Sequence, residues 1–248
     1  MNSITIGYST RKHDPAHDEY LKKSCGLINT EVIAIENKNK YSLSEAYNLI
    51  LSASKNDIVV FIHDDITFDT KNWGRKLIKH YKRNSNYGII GIAGTNQLTS
   101  GKWWEIKEAM HGVVNHSDGK QIWTSRFSAD QGNKIKPMAT LDGLFFSIDK
   151  TKIINIFDEK FKGFHFYDMA FVFKNFVDGV KVGLCTDIRV THMSVGEVND
   201  EWGLNKKQFE EMYGWYLPCE INEFGSIKIP EINEKERLGQ HQSTDAAT

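Results

Sequence analysis

The stretch Asp57–Asp65 (DIVVFIHDD) decides the fold class, because it joins a wholly apolar run to three polar groups. Ile58–Ile62 has the composition of a strand that is buried on both faces, as the strands inside parallel sheets are. His63, Asp64 and Asp65 follow at once, and groups of this kind resist burial. Either the strand simply reaches the surface at this point, or its carboxyl end carries a site.

Segments typical of strands and of helices alternate on both sides of this stretch. Ile4–Tyr8 and Glu31–Glu36 are predicted strands that precede it, and Gly88–Ala93 is one that follows it. Ser42–Ser54 and Trp73–Arg83 have the apolar spacing of amphipathic helices. The alternation predicts an α/β fold in which helices flank a mostly parallel central sheet.

The carboxyl ends of the first three predicted strands are polar. Ser9-Thr10-Arg11 follows the first strand, Glu36-Asn37 ends the second, and His63-Asp64-Asp65 follows the third. Ligands of open α/β sheets bind beyond the carboxyl ends of the strands. Because adjacent strands would place these groups on one rim, the sequence predicts a ligand site there. Ordinary capping of the strand ends is the alternative.

The adjacent carboxylates of Asp64 and Asp65 indicate what this rim binds. Two neighbouring carboxylates repel each other, and their ionised forms cost free energy when they lose water. A divalent cation such as Mg²⁺ or Mn²⁺ removes that cost, and such ions accept oxygen ligands. The sequence therefore favours a metal site, while two carboxylates that cap a solvated loop remain the alternative.

The second half of the chain has weaker periodicity. Between about residues 96 and 137 we expect irregular structure, followed by strands and helices at Leu141–Ile148, Asp168–Phe176, Lys181–Cys185, Arg189–His192 and Asn205–Tyr216. A single domain is predicted over residues 1–232, with a first half at about 1–95 and a second half at about 96–232. Residues 233–248 have the polar composition of a disordered tail.

Composition excludes several classes of protein. A net charge of −1 gives no global attraction to nucleic acid, and no nucleic-acid partner is expected. Three cysteines without a CxxC pair fit a reducing compartment. No signal peptide is recognisable, and no apolar run approaches the roughly 18 residues that span a bilayer. A cytoplasmic protein is expected; the basic face within Lys71–Arg83 is either solvated or a site of peripheral contact with the inner face of the membrane.

Four blocks of sequence carry a family resemblance. The helix SLSEAYNLILSAS, with Ala46-Tyr47-Asn48, precedes DIVVFIHDD, and this pair resembles the nucleotide-sugar half of GT-A glycosyltransferases of the family 2-like group. His63-Asp64-Asp65 then occupies the D-x-D position. The later blocks LDGLFFSID (141–149), FDEKFKGFHFYDMAF (157–171) and RVTHMSVGE (189–197) follow in the family's order. The resemblance implies a GT-A (Rossmann-like) fold with a nucleotide-binding half at about 1–95 and an acceptor half at about 96–232. A small antiparallel portion is expected on the acceptor side.

The resemblance also implies an activity. Such enzymes move a sugar from a nucleoside-diphosphate sugar, by default UDP-linked, to a hydroxyl acceptor during the synthesis of surface polysaccharides or other glycans. A glycan, a lipid-linked glycan or a protein is the expected acceptor, and inversion at the anomeric carbon is the expected outcome. Asp65 is the implied ligand of Mn²⁺ or Mg²⁺, His192 and His63 are further candidate ligands, and Asp168 is the implied general base.

Donor contacts are expected from the rim and from the strand that borders the donor sugar and the acceptor. Nucleobase, ribose or sugar contacts are assigned on this basis to Thr10, Arg11, Asn37, Asp64, Asp142 and Gly143. Strand-end capping is the alternative role for the first three, and a bulge or turn is the alternative at Asp142-Gly143.

Two positions depart from the family's pattern. His63 stands at the first D-x-D position, where an imidazole nitrogen can bind a metal or hydrogen-bond a ribose. Ala170 stands where many relatives carry a further acid, which leaves Asp168 as the one acid of the FHFYDMAF segment. These departures keep a catalytically inactive nucleotide-sugar-binding module as an alternative. A metal-dependent phosphohydrolase that uses the same carboxylates is the other.

Overall fold

The computed structural model describes residues 2–128, 134–194, 196 and 198–230. The helices are α1 Pro15–Cys25, α2 Leu43–Ala53, α3 Trp73–Arg83, α4 Tyr167–Val177 and α5 Asp200–Tyr213. The first strands are β1 Ser3–Thr10, β2 Asn29–Glu36, β3 Ile58–Ile62, β4 Ile66–Phe68, β5 Tyr87–Gly91, β6 Ala93–Thr95, β7 Gln97–Leu98 and β8 Met110–Ser117. The later strands are β9 Ile122–Arg126, β10 Lys136–Pro137, β11 Thr140–Leu141, β12 Phe145–Asp149, β13 Lys181–Leu184, β14 Val190–His192, β15 Cys219–Ile221 and β16 Ile227–Lys228.

A seven-stranded central sheet has the order β10-β13-β5-β12-β3-β1-β2. β1 pairs in parallel with both β2 and β3, and β5 pairs in parallel with β13. β12 lies between β3 and β5 and is antiparallel to both, and β10 is antiparallel to β13. Five of the seven strands, β1, β2, β3, β5 and β13, therefore run in the same direction, which confirms the predicted mostly parallel sheet. The carboxyl ends of β1, β2 and β3 lie side by side at one edge.

Antiparallel pairing dominates the rest of the molecule. A second sheet has the order β11-β6-β8-β14-β4, with β9 paired to β8, and a small third sheet has the order β16-β15-β7. In the second sheet β14 is antiparallel to β4 and parallel to β8. These strands form the antiparallel portion expected beside the central sheet, and β4 follows directly on the polar end of β3.

Strand β3 is buried on both faces, as its composition predicts. Its five residues are fully buried, and alternate side chains enter separate cores. Val59 and Phe61 pack in the core that includes α2 and α4. Ile58, Val60 and Ile62 pack in the core that includes α1 and α3. Because both faces of β3 are covered, the polar side chains that follow it can reach water only beyond its carboxyl end.

A capping box begins α2, as the sequence indicates. The backbone N–H of Glu45 donates to the Ser42 hydroxyl, and the backbone N–H of Ser42 donates to the Glu45 carboxylate at 2.7 Å. Two of the unpaired amides at the helix start are satisfied in this way. The cap fixes the point at which α2 leaves the turn after β2, and so places its first residues against the rim of the sheet.

Several elements differ from the sequence-based expectations. The region 96–137 is not irregular, since it contains β7 and the β8–β9 hairpin. Leu141–Ile148 is not one strand, because residues 142–144 separate β11 from β12. Helix α1 is absent from the predicted elements, and α5 begins at Asp200, where Asn199 caps it by accepting from the Trp202 amide. The predicted tail at 233–248 lies outside the described residues, as do Val195 and Glu197.

Within the described part of the chain, no helix combines the length and apolar character needed to cross a bilayer.

Candidate active site

The polar ends of β1, β2 and β3 meet in one cleft, as the rim rule predicts. The cleft has a volume of about 390 Å³ and is lined by Ser9, Thr10, Arg11, Asn37, Leu43, Tyr47, His63, Asp64, Asp65 and Phe164. Six of the candidate site residues are thus brought together. Tyr47 and Leu43 come from α2, so the helix of the resemblance forms one wall of the same cleft.

His63, Asp65 and His192 form a compact cluster beside this cleft. One potential ligand atom from each residue lies within 4.8 Å of the other two. His192 Nε2 lies 3.2 Å from Asp65 Oδ1 and 3.4 Å from His63 Nδ1. The pairing of β14 with β4 produces this meeting, because the register sets His192 opposite Ile66 and the Met193 amide donates to the Asp65 carbonyl at 2.9 Å.

The three groups of the cluster change one another's pKa values. Burial alone raises the pKa of Asp65, but hydrogen bonds from His192 and Ser194 outweigh it and hold the pKa at about 2. Burial lowers the pKa of His192, yet the hydrogen bond and negative charge of Asp65 outweigh burial and raise it. Burial, followed by the neighbouring His192, lowers the pKa of His63. An ionised carboxylate therefore faces one basic and one neutral imidazole.

This donor set fits a divalent metal ion. Two imidazole nitrogens and one carboxylate oxygen already converge, and mixed sites of nitrogen and oxygen ligands bind the divalent first-row transition metals, with Mn²⁺ the weakest of the series. An ionised Asp65 and a neutral His63 are in the forms that bind a metal, whereas His192, whose pKa is raised, would release its proton on binding one. Asp64, by contrast, is exposed at the cleft and is outside the three-residue cluster. The adjacent carboxylates are thus not equivalent, and Asp65 is the metal candidate.

Gly143 and Tyr167 join this cluster to Asp168. The Tyr167 hydroxyl lies 2.9 Å from His63 Nε2 and donates to the Gly143 carbonyl at 3.3 Å. A Cβ atom at Gly143 would lie 2.2 Å from the Tyr167 hydroxyl and 2.7 Å from Asp168 Oδ2, which is closer than real Cβ contacts come. Only glycine therefore lets the backbone pass between the two side chains.

Asp168 lies in the first turn of α4, beyond this glycine. Burial raises its pKa to about 7, with a further increase from the negative charge of Asp142, against the backbone amides of Met169, Asp168 and Gly143. Phe166, which precedes the helix, has a left-handed φ of 64° that non-glycine residues rarely adopt. Phe166 is packed against Trp202 and Phe209, so the core holds this backbone conformation.

Asp142 occupies the gap between β11 and β12. Its side chain accepts the Leu144 amide at 2.9 Å, so it also performs the turn-forming role that was the alternative at this position. Its charge nevertheless acts on Asp168, which ties the gap to the acidic residue of α4. Asp142, Gly143, Asp168 and His192 do not line the cleft itself. They are linked to it through the contacts of His63 with Tyr167 and with His192.

The candidate base-binding residues have local roles as well. The Asn37 side chain accepts the Lys40 and Tyr41 amides at 3.0 Å and donates to the Tyr41 carbonyl at 2.8 Å. The Thr10 hydroxyl donates to the Lys12 carbonyl at 3.3 Å. Strand-end capping is therefore present at both positions, and both still face the cleft together with Arg11.

Two tyrosines of the site were not singled out in the sequence. Tyr47 lies inside the AxN segment of α2 and Tyr167 inside FHFYD, directly before Asp168. Both are buried, and their rings meet edge to face with centroids 5.2 Å apart. Their location within the family's motifs was the one sequence signal for both tyrosines. Without knowledge of its partner, each has the pattern of an ordinary core aromatic residue.

The basic face of α3 lies away from this cleft. Arg75, Lys79, Lys82 and Arg83 line a separate cleft of about 720 Å³ near the amino ends of β1 and β2. Leu27, Ile78 and the exposed Ile28 are also part of it. None of the residues assigned to the candidate active site lines this second cleft.

Comparisons with known proteins agree with the geometry. The model of a family described as "Glycosyltransferase like family" matches residues 21–215. A search of curated proteins found no match. Among solved structures, the chain resembles the crystal structure of GalNAc-T7 with UDP, GalNAc and Mn²⁺ at a TM-score of 0.52 and 12% identity, covering 87% of this chain and 48% of that chain. The chain thus spans about half the length of that protein, and the likeness confirms the GT-A architecture.

Two further solved structures match with lower scores. The mannosyltransferase PcManGT from Pyrobaculum calidifontis, in complex with GDP-Man and Mn²⁺, has a TM-score of 0.49 at 10% identity, covering 83% of this chain and 61% of that chain. The structure of A197 from STIV has a TM-score of 0.45 at 10% identity, covering 94% of this chain and 96% of that chain.

Proposed function

This chain belongs to the glycosyltransferase-like family, and on that premise we propose that it transfers a sugar from a nucleoside-diphosphate donor to a hydroxyl acceptor. The observation that carries the proposal is the junction of three features. A cleft at the strand ends, a His-Asp-His cluster beside it and an acid of raised pKa behind that cluster are connected through Tyr167 and Gly143. The nucleoside of the donor would lie in the cleft, its diphosphate at the cluster, and the acceptor beside Asp168.

The strand ends provide the donor site. Thr10, Arg11 and Asn37 line the cleft at the ends of β1 and β2, and we assign the nucleobase and ribose to this part. The diphosphate then extends toward Asp64 and Asp65 at the end of β3. UDP is the proposed nucleotide, and the presence of UDP in the GalNAc-T7 structure supports that choice.

His63, Asp65 and His192 would hold the divalent ion. When bound, the ion supplies positive charge that stabilises the diphosphate as it departs. Mg²⁺ demands near-octahedral geometry and is usually held by one or two carboxylates, whereas two of the three donors here are imidazoles. Mn²⁺ belongs to the first-row series that binds mixed nitrogen and oxygen sites, so we propose Mn²⁺ over Mg²⁺. The Mn²⁺ in the GalNAc-T7 structure supports this assignment.

Asp168 would take the proton of the acceptor hydroxyl. Its pKa of about 7 is well matched to general-base catalysis near neutral pH, which contributes roughly 10²–10⁴-fold. A base that acts directly on the acceptor is what a single displacement with inversion requires. The proposed acceptor is a growing surface glycan, free or lipid-linked, or a protein, at the cytoplasmic side.

A thermal-shift screen tests the donor site. Nucleoside diphosphates and nucleotide sugars are added to the purified protein with Mn²⁺, with Mg²⁺ or with a chelator. Ligand present at about 100 times its Kd stabilises the folded state by about 2.7 kcal/mol, so a matching nucleotide should raise the midpoint by about 5–10 °C. The increase should be largest with Mn²⁺ and should fall with the chelator.

Simple phosphate esters serve as the control for this screen. They share the phosphate but lack the base and sugar, so the proposal expects little shift from them. A midpoint that no nucleotide moves, with either ion, would contradict the proposed donor site. An equal response to every phosphate ester would instead favour the phosphohydrolase alternative.

A further inference from the structure

We infer that Tyr167 is a positioning residue, which fixes the ring of His63 in the tautomer that binds metal. The inference rests on the proposed function, because it concerns the metal ion of the proposed site. Tyr167 is 3% exposed and begins α4, far from His63 in the sequence. Its hydroxyl lies between His63 Nε2, at 2.9 Å, and the Gly143 carbonyl oxygen, at 3.3 Å.

The Gly143 end of this chain of hydrogen bonds fixes one proton. A backbone carbonyl oxygen can only accept, so the Tyr167 hydroxyl must donate to it. The neighbouring Tyr47 hydroxyl donates to the Ile62 carbonyl at 3.0 Å, so toward Tyr167 it too can only accept. The Tyr167 oxygen is therefore left as an acceptor, and His63 Nε2 is the atom that carries a proton and donates to it.

The other ring nitrogen of His63 faces the cluster. His63 Nδ1 lies 3.4 Å from His192 Nε2, which is itself 3.2 Å from Asp65 Oδ1. With the proton on Nε2, the lone pair of the neutral imidazole is on Nδ1.

This tautomer directs the lone pair of His63 toward Asp65 and His192. A metal-binding histidine usually donates its other ring N–H to a fixed partner, which sets both tautomer and ring orientation. Tyr167 provides that partner, and packing holds it in place. Its ring meets Tyr47 edge to face at 5.2 Å, and the left-handed Phe166 fixes the start of its helix. Without the hydroxyl, His63 Nε2 would lose this acceptor.

Binding of Mn²⁺ alone, without nucleotide, tests the inference. The affinity is measured by electron paramagnetic resonance for the wild type and for Tyr167→Phe, which keeps the ring and removes the hydroxyl. We expect the Kd for Mn²⁺ to rise about 10–100-fold. Tyr81→Phe is the matched control, because Tyr81 is also buried and loses a hydroxyl contact, at 2.9 Å to Ser147, on the other face of the sheet. Its Kd should equal that of the wild type.

A positioning role requires that the effect pass through His63. In a His63→Ala background, the further change Tyr167→Phe should therefore leave the Kd for Mn²⁺ unaltered, whereas a purely structural role would weaken binding again. Nitrogen-15 NMR of the metal-free wild type gives a test without any variant, and it should show the proton on His63 Nε2. A proton on Nδ1, or equal Mn²⁺ affinity in Tyr167→Phe, would overturn the inference. Failure of the wild type to bind Mn²⁺ would overturn the proposed metal site itself.

Discussion

Replacement of Asp168 by Asn is expected to lower the rate of sugar transfer by about 10²–10⁴-fold, because the amide cannot accept the acceptor's proton. Asn keeps the shape of the side chain, and Asp168 does not line the cleft where the nucleotide is placed. The Kd for the nucleotide should therefore change little. Initial rates with saturating donor, together with calorimetric titration of the nucleoside diphosphate, measure the two quantities separately.

The same residue gives the reaction a pH dependence of known sign. Burial raises the pKa of Asp168 to about 7, and the base is active only when ionised. The kcat/KM of the wild type should therefore rise tenfold per pH unit below 7 and level off above it. The residual activity of Asp168→Asn should lack that inflection. A wild-type profile that is flat between pH 5 and 8 would remove Asp168 as the base.

Protein stability provides a control for this variant. A carboxyl whose pKa is higher in the folded state than in the unfolded state makes the folded state less stable as pH rises through the interval between the two values. For Asp168 that interval extends from its ordinary value of about 4 to about 7. Asn resembles the neutral form, so the variant should melt several degrees above the wild type at pH 8 and at a similar temperature below pH 4.

The second large effect is expected at Asp65. Asp65→Ala removes the one carboxylate of the cluster and leaves His192 without the partner that raises its pKa. Loss of a metal ligand should weaken Mn²⁺-dependent nucleotide binding by more than the 10–100-fold that changes around a ligand typically cause. Calorimetric titration of UDP with Mn²⁺ and with a chelator measures the loss. The variant should behave in both conditions as the wild type does with the chelator.

A charge-matched control separates this effect from general electrostatics. Asp57 is exposed and precedes β3, at the opposite end of the strand from Asp65. Asp57→Ala removes the same charge and should leave the Mn²⁺-dependent binding of UDP unchanged. If Asp65→Ala also bound UDP as the wild type does, with the same dependence on Mn²⁺, the cluster would not be the metal site.

The rim of the site could be predicted from the sequence, because it depends on local patterns and on the rule that ligands bind beyond the carboxyl ends of the strands. The apolar run Ile58–Ile62 can satisfy burial on both faces only as a central strand, and its polar end must then lie with those of β1 and β2. The capping residues Ser42 and Glu45 similarly fix the start of α2. Each of these features requires only neighbouring residues, and the structure confirms them.

The connection behind the rim depends on contacts that no local pattern contains. Tyr167 and His63 are separated by 104 residues, and the sequence alone gives each several equally good partners. The β8–β9 hairpin was missed for a different reason. Its second strand, Ile122–Arg126, is largely exposed, so it lacks the apolar alternation that identifies strands in a core. Gly143 is assigned to the donor on sequence, and its close approach to the side chains of Tyr167 and Asp168 becomes visible only in the structure.

The central claim is that the cleft, the cluster and Asp168 act together in sugar transfer. Release of nucleoside diphosphate from a panel of nucleotide sugars in the presence of Mn²⁺ tests it most directly, with the wild type and Asp168→Asn in parallel. We expect release from one donor class by the wild type, its loss on chelation, and its loss in Asp168→Asn. Binding without release from any donor would identify an inactive nucleotide-sugar-binding module. Equal release by wild type and Asp168→Asn would contradict the assigned chemistry.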